Sequence, residues 1–416
     1  MNKALQVLID RGFVKDCTNL EGLSDLMDRE SVTFYCGTDP TGASLHVGHI
    51  VPFFAMHWLQ KYGHNPLALV GGGTGLIGDP SGKTEMRKIL SVEQIQSNVE
   101  RIKNQLSSVV DFSENPGEGM GHARMVNNAD WLVDLNYIQF LRDVGKYFSV
   151  NRMLTFEGVK QRLERGLSFI EFNYQLLQSY DFKVLNDRYN CRLQIGGADQ
   201  WGNIVAGIDL MQRMGNEEEC FGLTFNLIMR ADGKKMGKSE KGAVFLAPDM
   251  YSPYDFYQYW RNVNDADVIK FMKLFTFMDL DEIATYADPA RNINDAKAKL
   301  AYEVTKIIHG QEEADKAEAA AKALFGAGVS KEGMPTVEIE KSELEGEGTG
   351  VLNLFTLAGL TKSNGEARRL VQQGGAELNG KKVDDIKQMI TLADADEDGE
   401  FLLKAGKKRF ARVIVK

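Results

Sequence analysis

Three short stretches constrain the fold of this chain more than any other feature. "SVTFYCG" (31–37), "PLALVGGG" (66–73) and "CRLQIGG" (191–197) are short, rich in β-branched, aromatic or aliphatic residues, and closed by glycine. Helix-like sequence follows the first from about Val47 to Tyr62, and the third through "WGNIVAGIDLMQRMG". Strand, glycine turn and helix in repetition predict a parallel α/β sheet with ligands at the strands' carboxyl ends. Residues about 130–185 read as a mainly helical insertion among these elements.

The rest of the chain is organised differently. Residues 251–325 read as an α-helical domain, and its last stretch, "QEEADKAEAAAKALFG", is most simply a solvated helix. Residues 326–350 are rich in glycine and glutamate and read as a linker. Residues 351–416 read as a small α+β module. There Ser363 and Glu366 have capping-box spacing, and Asn379-Gly380 predicts a hairpin. The module carries 12 Lys and Arg against 9 Asp and Glu, whereas the preceding 350 residues carry 37 against 49. A basic tail on an acidic body points to a polyanionic partner for the tail alone.

Composition excludes several classes. No stretch approaches the ~18 continuous apolar residues of a membrane helix. The opening "MNKALQVLIDRGFVKD" breaks its apolar run with charge, unlike a secretory signal. Four scattered cysteines, none in a CxxC pair, argue against a disulfide framework or a zinc site and fit a reducing cytoplasm.

The glycine run "GGGTGLIGDPSGKT" (71–84) looks like a phosphate-binding loop. The Walker pattern needs a glycine five positions before Gly82, and Ile77 stands there. Phosphate binding therefore needs other groups. "SLHVGH" (44–49) places His46 and His49 three apart, as on the first turn of a helix, with Gly48 open to a ligand. Pro52 then removes a backbone bond inside the predicted helix. "GKKMGKS" (233–239) carries Lys235 and Lys238 on a glycine-punctuated loop. Each motif alone is ordinary: two helix-start histidines, and a turn with solvated lysines.

Together, in this order around an α/β sheet, they resemble the HIGH and KMSKS signatures of class I aminoacyl-tRNA synthetases. "YCGTDPTGASLHVGH", "LIGDPSGKTEMR", "FNYQLLQSYDF", "LQIGGADQWGN" and "ADGKKMGKS" are similar to the bacterial tyrosine-specific members over nearly the whole chain. The tail is similar to a small RNA-binding fold named after a ribosomal protein. Two positions depart from the class pattern: valine in HVGH, and Gly237 where the class has serine.

The resemblance implies a Rossmann-like catalytic domain over 1–250, ATP with magnesium as substrate, no resident metal, and a homodimer. It assigns Thr41, His46, His49, Lys83, Arg87, Lys235, Lys238 and Ser239 to the phosphates and ribose of ATP during activation. Cys36, Gly37, Asp39, Gly48, Gly196 and Asp199 would line the nucleotide site. Tyr35 and Asp181 would bind a phenol hydroxyl. Asp79, Tyr174 and Gln178 would hold the ammonium group, with Gln194 and Gln200 completing the pocket. Tyr174 and Gln178, four apart, share one helix face. The tRNA would meet Arg368, Arg369, Lys381, Lys382, Lys407, Lys408 and Arg409.

Three alternatives are weaker. A tryptophan-specific relative has no phenol for Tyr35 and Asp181. A nucleotidyltransferase with HxGH leaves the lysine loop and tail unexplained. A non-catalytic RNA chaperone leaves both signatures unexplained.

Overall fold

The computed structural model describes residues 1–81, 90–164, 166–229, 231, 236–239, 242–323, 334–346, 348–396, 399–406 and 409–416. They fall into two compact units: Met1–Tyr251 with Tyr259–His309, and Ser252–Gln258 with Gly310–Lys416. The helical stretch 251–325, expected as one domain, is divided between them.

The first unit is built on a six-stranded sheet. Its strands are β1 (Val14–Cys17), β2 (Thr33–Thr38), β3 (Asn65–Val70), β4 (Arg124–Asn127), β5 (Cys191–Gly197) and β6 (Phe221–Phe225), in the order β1-β6-β5-β2-β3-β4. All neighbours run parallel except β1 against β6. The chain builds outward from β2 to β4 on one side and from β5 to β6 on the other. The sheet order therefore reverses between β2 and β5, where a crevice opens at the carboxyl ends.

The predicted strands are buried on both faces, which is why they read as continuous apolar runs. Tyr35, Leu67, Leu69 and Val126 from the sheet share a core with Phe182 and Leu185 of the Phe169–Tyr189 helix and Ile204 and Ile208 of the Trp201–Arg213 helix. Each such side chain contributes roughly 1.5–3 kcal/mol. Trp260, Phe271 and Phe275 form a ring cluster among the later helices, with Trp260 and Phe275 centroids 5.0 Å apart.

Two local expectations change. The helix expected from Val47 begins at Val51, so Pro52 lies in its first turn. The N–H groups of a first turn have no helical acceptor, so Pro52 forfeits no helical bond. The histidines therefore precede the helix rather than sharing its first turn.

The second unit carries a five-stranded sheet in the order Lys381–Lys382, Ala376–Leu378, Glu400–Ala405, Arg409–Val415, Thr336–Ile339. Leu354, Phe355, Ala367 and Val371 from its helices pack with Phe401, Leu403 and Val413. The hairpin forms as expected, with Asn379 at φ 47° and Gly380 at φ 75°. Ser363 caps its helix, accepting from the Glu366 N–H, while Glu366 reaches back to the Lys362 N–H at 2.8 Å.

The stretch read as a linker is partly structured. Thr336–Ile339 pairs in parallel with Arg409–Val415, and Thr349–Gly350 pairs with Met389–Ile390. Only Val337 and Ile339 point this short strand to the core, and the surrounding glutamates mask them. The Gln311–Ala323 helix is not solvated all round: Ala314, Ala317, Ala320 and Ala321 are buried. Alanine buries a close-packed face while adding little apolar signal.

Candidate active site

A cavity of about 710 Å³ opens at the crevice between the carboxyl ends of β2 and β5. Tyr35, Cys36 and Gly37 reach it from β2, and Gln194 and Gly196 from β5. Thr41, Asp79, Asp199 and Gln200 line it from the loops that follow the strands.

The floor is buried and polar. Each oxygen of Asp181 accepts one bond, from Trp131 Nε1 at 2.8 Å and Asn128 Nδ2 at 2.9 Å. Burial still outweighs these donors and pushes the Asp181 carboxyl up to about 8. Tyr35, also buried, has a hydroxyl without a hydrogen-bond partner, and so does the Gln194 side-chain oxygen. Burial first, and the Asp181 charge second, raise the Tyr35 phenol well above its ordinary value. Burial also pushes the Cys36 thiol up to about 12, which leaves it protonated. Buried polar atoms left unpaired are costly, so this floor is suited to a ligand that carries its own hydroxyl.

The middle of the cavity is a hydrogen-bonded network. Tyr174 donates to Asp39 at 2.8 Å, and Thr74 donates to the other Asp39 oxygen at 2.7 Å. Gln200 donates to Asp79 at 2.7 Å and accepts from Gln178 at 3.2 Å. Asn203 donates to Gln178 at 3.0 Å. These carboxylates and amide oxygens form an acceptor-rich wall, fit for an ammonium group.

At the opposite end lie His46 and His49. A tight turn stacks their rings, with centroids 3.6 Å apart. His46 Nδ1 accepts the Gly48 N–H at 3.0 Å. The turn is zipped to the segment after the lysine loop: the Val47 N–H donates to Val244, the Leu246 N–H to Leu45, and the Val244 N–H to Gly237. The two signatures thus meet through backbone.

Among its described residues, 71–81, the glycine run does not form a phosphate cradle. The Gly71 N–H donates to the Thr38 carbonyl, Gly73 to Asn128 Oδ1, Gly75 to the Gly71 carbonyl, and Gly78 to the Thr74 carbonyl. These amides are already bonded within the protein. Its glycines serve close packing: a Cβ at Gly71 would fall 2.1 Å from Asp39 Oδ1.

The structure brings together Tyr35, Cys36, Gly37, Asp39, Thr41, His46, Gly48, His49, Asp79, Tyr174, Gln178, Asp181, Gln194, Gly196, Asp199 and Gln200 around one cavity. Lys83, Arg87 and Lys235 lie outside the described residues, and Lys238 and Ser239 are described in backbone alone, as a short strand paired with Gly242–Ala243. In the second unit Arg368 and Arg369 are exposed on one helix, and Lys381 and Lys382 on the hairpin. Arg409 donates to the Leu360 carbonyl at 2.8 Å. Lys407 and Lys408 lie outside the described residues. Among the described residues, no group of three or more His, Cys, Asp or Glu is placed to hold a metal.

Sequence reasoning missed Thr74, Asn128, Trp131 and Asn203. "NNADWL" offers no spacing or motif that announces a partner for Asp181 some 50 residues later.

Comparison with known proteins identifies the family. The family described as tRNA synthetases class I (W and Y) matches residues 27–326, and the tyrosine–tRNA ligase SYY-like C-terminal domain matches residues 328–413. The chain belongs to the class I tRNA synthetases of this tryptophan and tyrosine group. Within it, the similarity is to proteins named tyrosine–tRNA ligase. That of Treponema denticola is 56% identical over 414 residues, covering 100% of both chains. That of Acetivibrio thermocellus is 50% identical, covering 99% of both. Among solved structures, a C-terminally truncated mitochondrial tyrosyl-tRNA synthetase of Aspergillus nidulans superposes with a TM-score of 0.68 at 29% identity. That match covers 77% of this chain and 94% of the other.

Proposed function

We propose that this chain is a tyrosine–tRNA ligase. It activates L-tyrosine with ATP and then esterifies the 3′ end of the matching tRNA. The observation that carries the reading is the cavity floor. Tyr35 offers an unpartnered hydroxyl beside Asp181, whose oxygens keep lone pairs beyond the two already used. A phenol hydroxyl donates to Asp181 and accepts from Tyr35, satisfying both. An indole has no oxygen to do this. Asp79, Tyr174 and Gln178 hold the ammonium group, and Gln200 lies beside them toward the carboxylate.

Activation joins two anions. A tyrosine carboxylate oxygen attacks the α-phosphorus, the bond from that phosphorus to the α,β-bridging oxygen breaks, and pyrophosphate leaves. No protein nucleophile is needed; catalysis is positioning plus stabilisation of the departing charge. Thr41 and His46, with Lys83, Arg87, Lys235, Lys238 and Ser239, serve the phosphates. His49, Cys36, Gly37, Gly48, Gly196 and Asp199 serve the nucleoside. One cation at ~4 Å contributes about 4 kcal/mol at an effective dielectric near 20. Magnesium enters as part of the ATP complex. A hydroxyl of the terminal ribose of tRNA then attacks the adenylate carbonyl and AMP departs.

The basic residues of the second unit anchor the tRNA. The protein works as a cytoplasmic homodimer, a reading supported by the exposed apolar side chains Val133, Tyr137, Ile138 and Phe169. Sedimentation of the purified chain tests this, and a stable monomer would contradict it. The central test is ATP–pyrophosphate exchange with each amino acid separately. A signal with tyrosine alone is expected; exchange with tryptophan, or with none, would overturn the assignment.

A further inference from the structure

The Val92–Leu106 helix carries Asn98, Arg101 and Gln105, spaced by three and four residues and so on one face. Such a face is ordinarily solvated. Here each side chain bonds the main chain of the loop leading into the histidine turn. Asn98, itself buried, donates to the Pro40 carbonyl at 2.9 Å. Arg101 Nε donates to the Ala43 carbonyl at 2.9 Å. Gln105 Oε1 accepts the Leu45 N–H at 2.9 Å. Successive turns of the helix grip residues 40, 43 and 45 in order.

The ladder also extends to the segment that follows the lysine loop. Arg101 Nη2 donates to both carboxylate oxygens of Asp249 at 2.8 Å. Ser44 Oγ accepts the Ala247 N–H at 3.0 Å. On its other side the helix is anchored to the sheet, since Ile95 and Val99 pack with Val70 at the end of β3. A rigid, core-anchored element therefore holds an irregular loop whose side chains Thr41, His46 and His49 face the cavity.

We propose that Asn98, Arg101 and Gln105 are positioning residues for the nucleotide half of the site. They fix Thr41 and His46 against the pyrophosphate end of ATP while leaving tyrosine binding independent. This inference rests on the reading of the cavity as an ATP and tyrosine site. Residues 40–45 lie outside the helices and named strands, and these three side chains, together with the Ala247 and Leu246 N–H groups, supply the bonds that hold them; misplacement by about 1 Å can cost on the order of a hundredfold in rate.

The test uses the full-length protein and separates the two substrates. Gln105→Leu removes the acceptor for the Leu45 N–H, whereas Gln105→Glu keeps one. Arg101→Gln probes a half-exposed position at less risk to folding. ATP–pyrophosphate exchange gives kcat and the KM for ATP, equilibrium dialysis gives tyrosine affinity, and thermal melting reports folding. Gln105→Leu should lower kcat/KM for ATP by about tenfold or more, with tyrosine affinity unchanged within about twofold. Gln105→Glu should restore most of the loss, and Arg101→Gln should shift the same parameter by a smaller factor. Unchanged ATP parameters in folded Gln105→Leu, or a parallel fall in tyrosine affinity, would overturn the proposal. If Gln105→Leu does not fold, Arg101→Gln decides by the same two outcomes. Wild-type exchange with tyrosine alongside unaffected variants defeats only this inference; absence of wild-type exchange defeats the functional reading as well.

Discussion

Gly237 stands where the class signature has serine, and the local geometry gives the reason. Its φ of 96° lies in the left-handed region, and a Cβ there would fall 2.8 Å from His46 Nδ1 and 3.0 Å from the Gly48 nitrogen. Gly48 is its counterpart, since a Cβ on it would fall 2.8 Å from the Met236 carbonyl oxygen. Two glycines face each other, and the main chain of one signature rests on the other. Gly237→Ala combines backbone strain of ~1–2 kcal/mol with a clash against the histidine turn. The expected outcome is a fall of about tenfold or more in kcat/KM for ATP, measured by pyrophosphate exchange, with tyrosine affinity retained. Both motifs are legible in the sequence. Their contact is not, because nothing local encodes which distant loops touch.

The Phe169–Tyr189 helix shows how one element serves site and core together. Tyr174, Gln178 and Asp181 fall four and three apart and face the cavity, while Phe182 and Leu185 are buried in the sheet core. The spacing of Tyr174 and Gln178 was readable from periodicity. The Ser-x-x-Glu spacing at its start is legible too, but the buried arginine that joins it is not. Ser168 and Glu171 form a capping box, and Arg162 Nη2 donates to both Glu171 oxygens at 2.9 and 3.0 Å. Both side chains are only 4% exposed. Burial works against the Glu171 carboxylate, but the Arg162 and Ser168 bonds overcome it and hold its carboxyl below the ordinary value. Glu171→Ala would leave a buried guanidinium unpaired, at a cost of about 3–5 kcal/mol. Urea unfolding should register that loss, with a smaller one for Glu171→Gln.

At the scale of the molecule, the buried His64 and the half-buried His57 link stability to pH. His57 accepts no solvent on its stacked face: its ring lies on Phe277 at 3.7 Å, and Nδ1 bonds the Val109 carbonyl at 3.0 Å. His64 Nδ1 accepts the Val32 N–H at 3.2 Å, which requires that nitrogen to be unprotonated. Burial pushes both imidazoles down to about 4, against 6.5 ordinarily. Below pH 6.5 the unfolded chain binds protons that the folded one refuses until about 4. Their contribution is therefore full above that window and is lost as pH falls through it, by at most about 1.4 kcal/mol per pH unit for each histidine. Melting temperature should decline from pH 6.5 toward 4, and His64→Asn should flatten the decline. The second unit sets where the chain can be cut. A chain ending at Gly350 would strand Thr336–Ile339 without its sheet partner Arg409–Val415. A chain ending at Ala323 avoids that. It should form tyrosyl-adenylate at close to the normal rate and charge tRNA poorly, and added salt should reproduce the charging defect in the full-length protein. Equal charging by both chains would remove the tail as the tRNA anchor.

The sequence by itself determined the parallel sheet, the position of the site at its strand ends and the hairpin at Asn379-Gly380, whereas the residues expected around the cavity came from the resemblance to a family. The first three are local in origin: apolar runs, glycine turns and short motifs act over a few residues. Tertiary structure alone decided the boundary of the second unit, the stacking of His46 on His49, the partners of Asp181, and the polar ladder behind the nucleotide loop. Each of these depends on side chains far apart in the chain meeting with a common orientation. Periodicity reports which face of an element is apolar, but the element it meets is fixed only when the whole core packs.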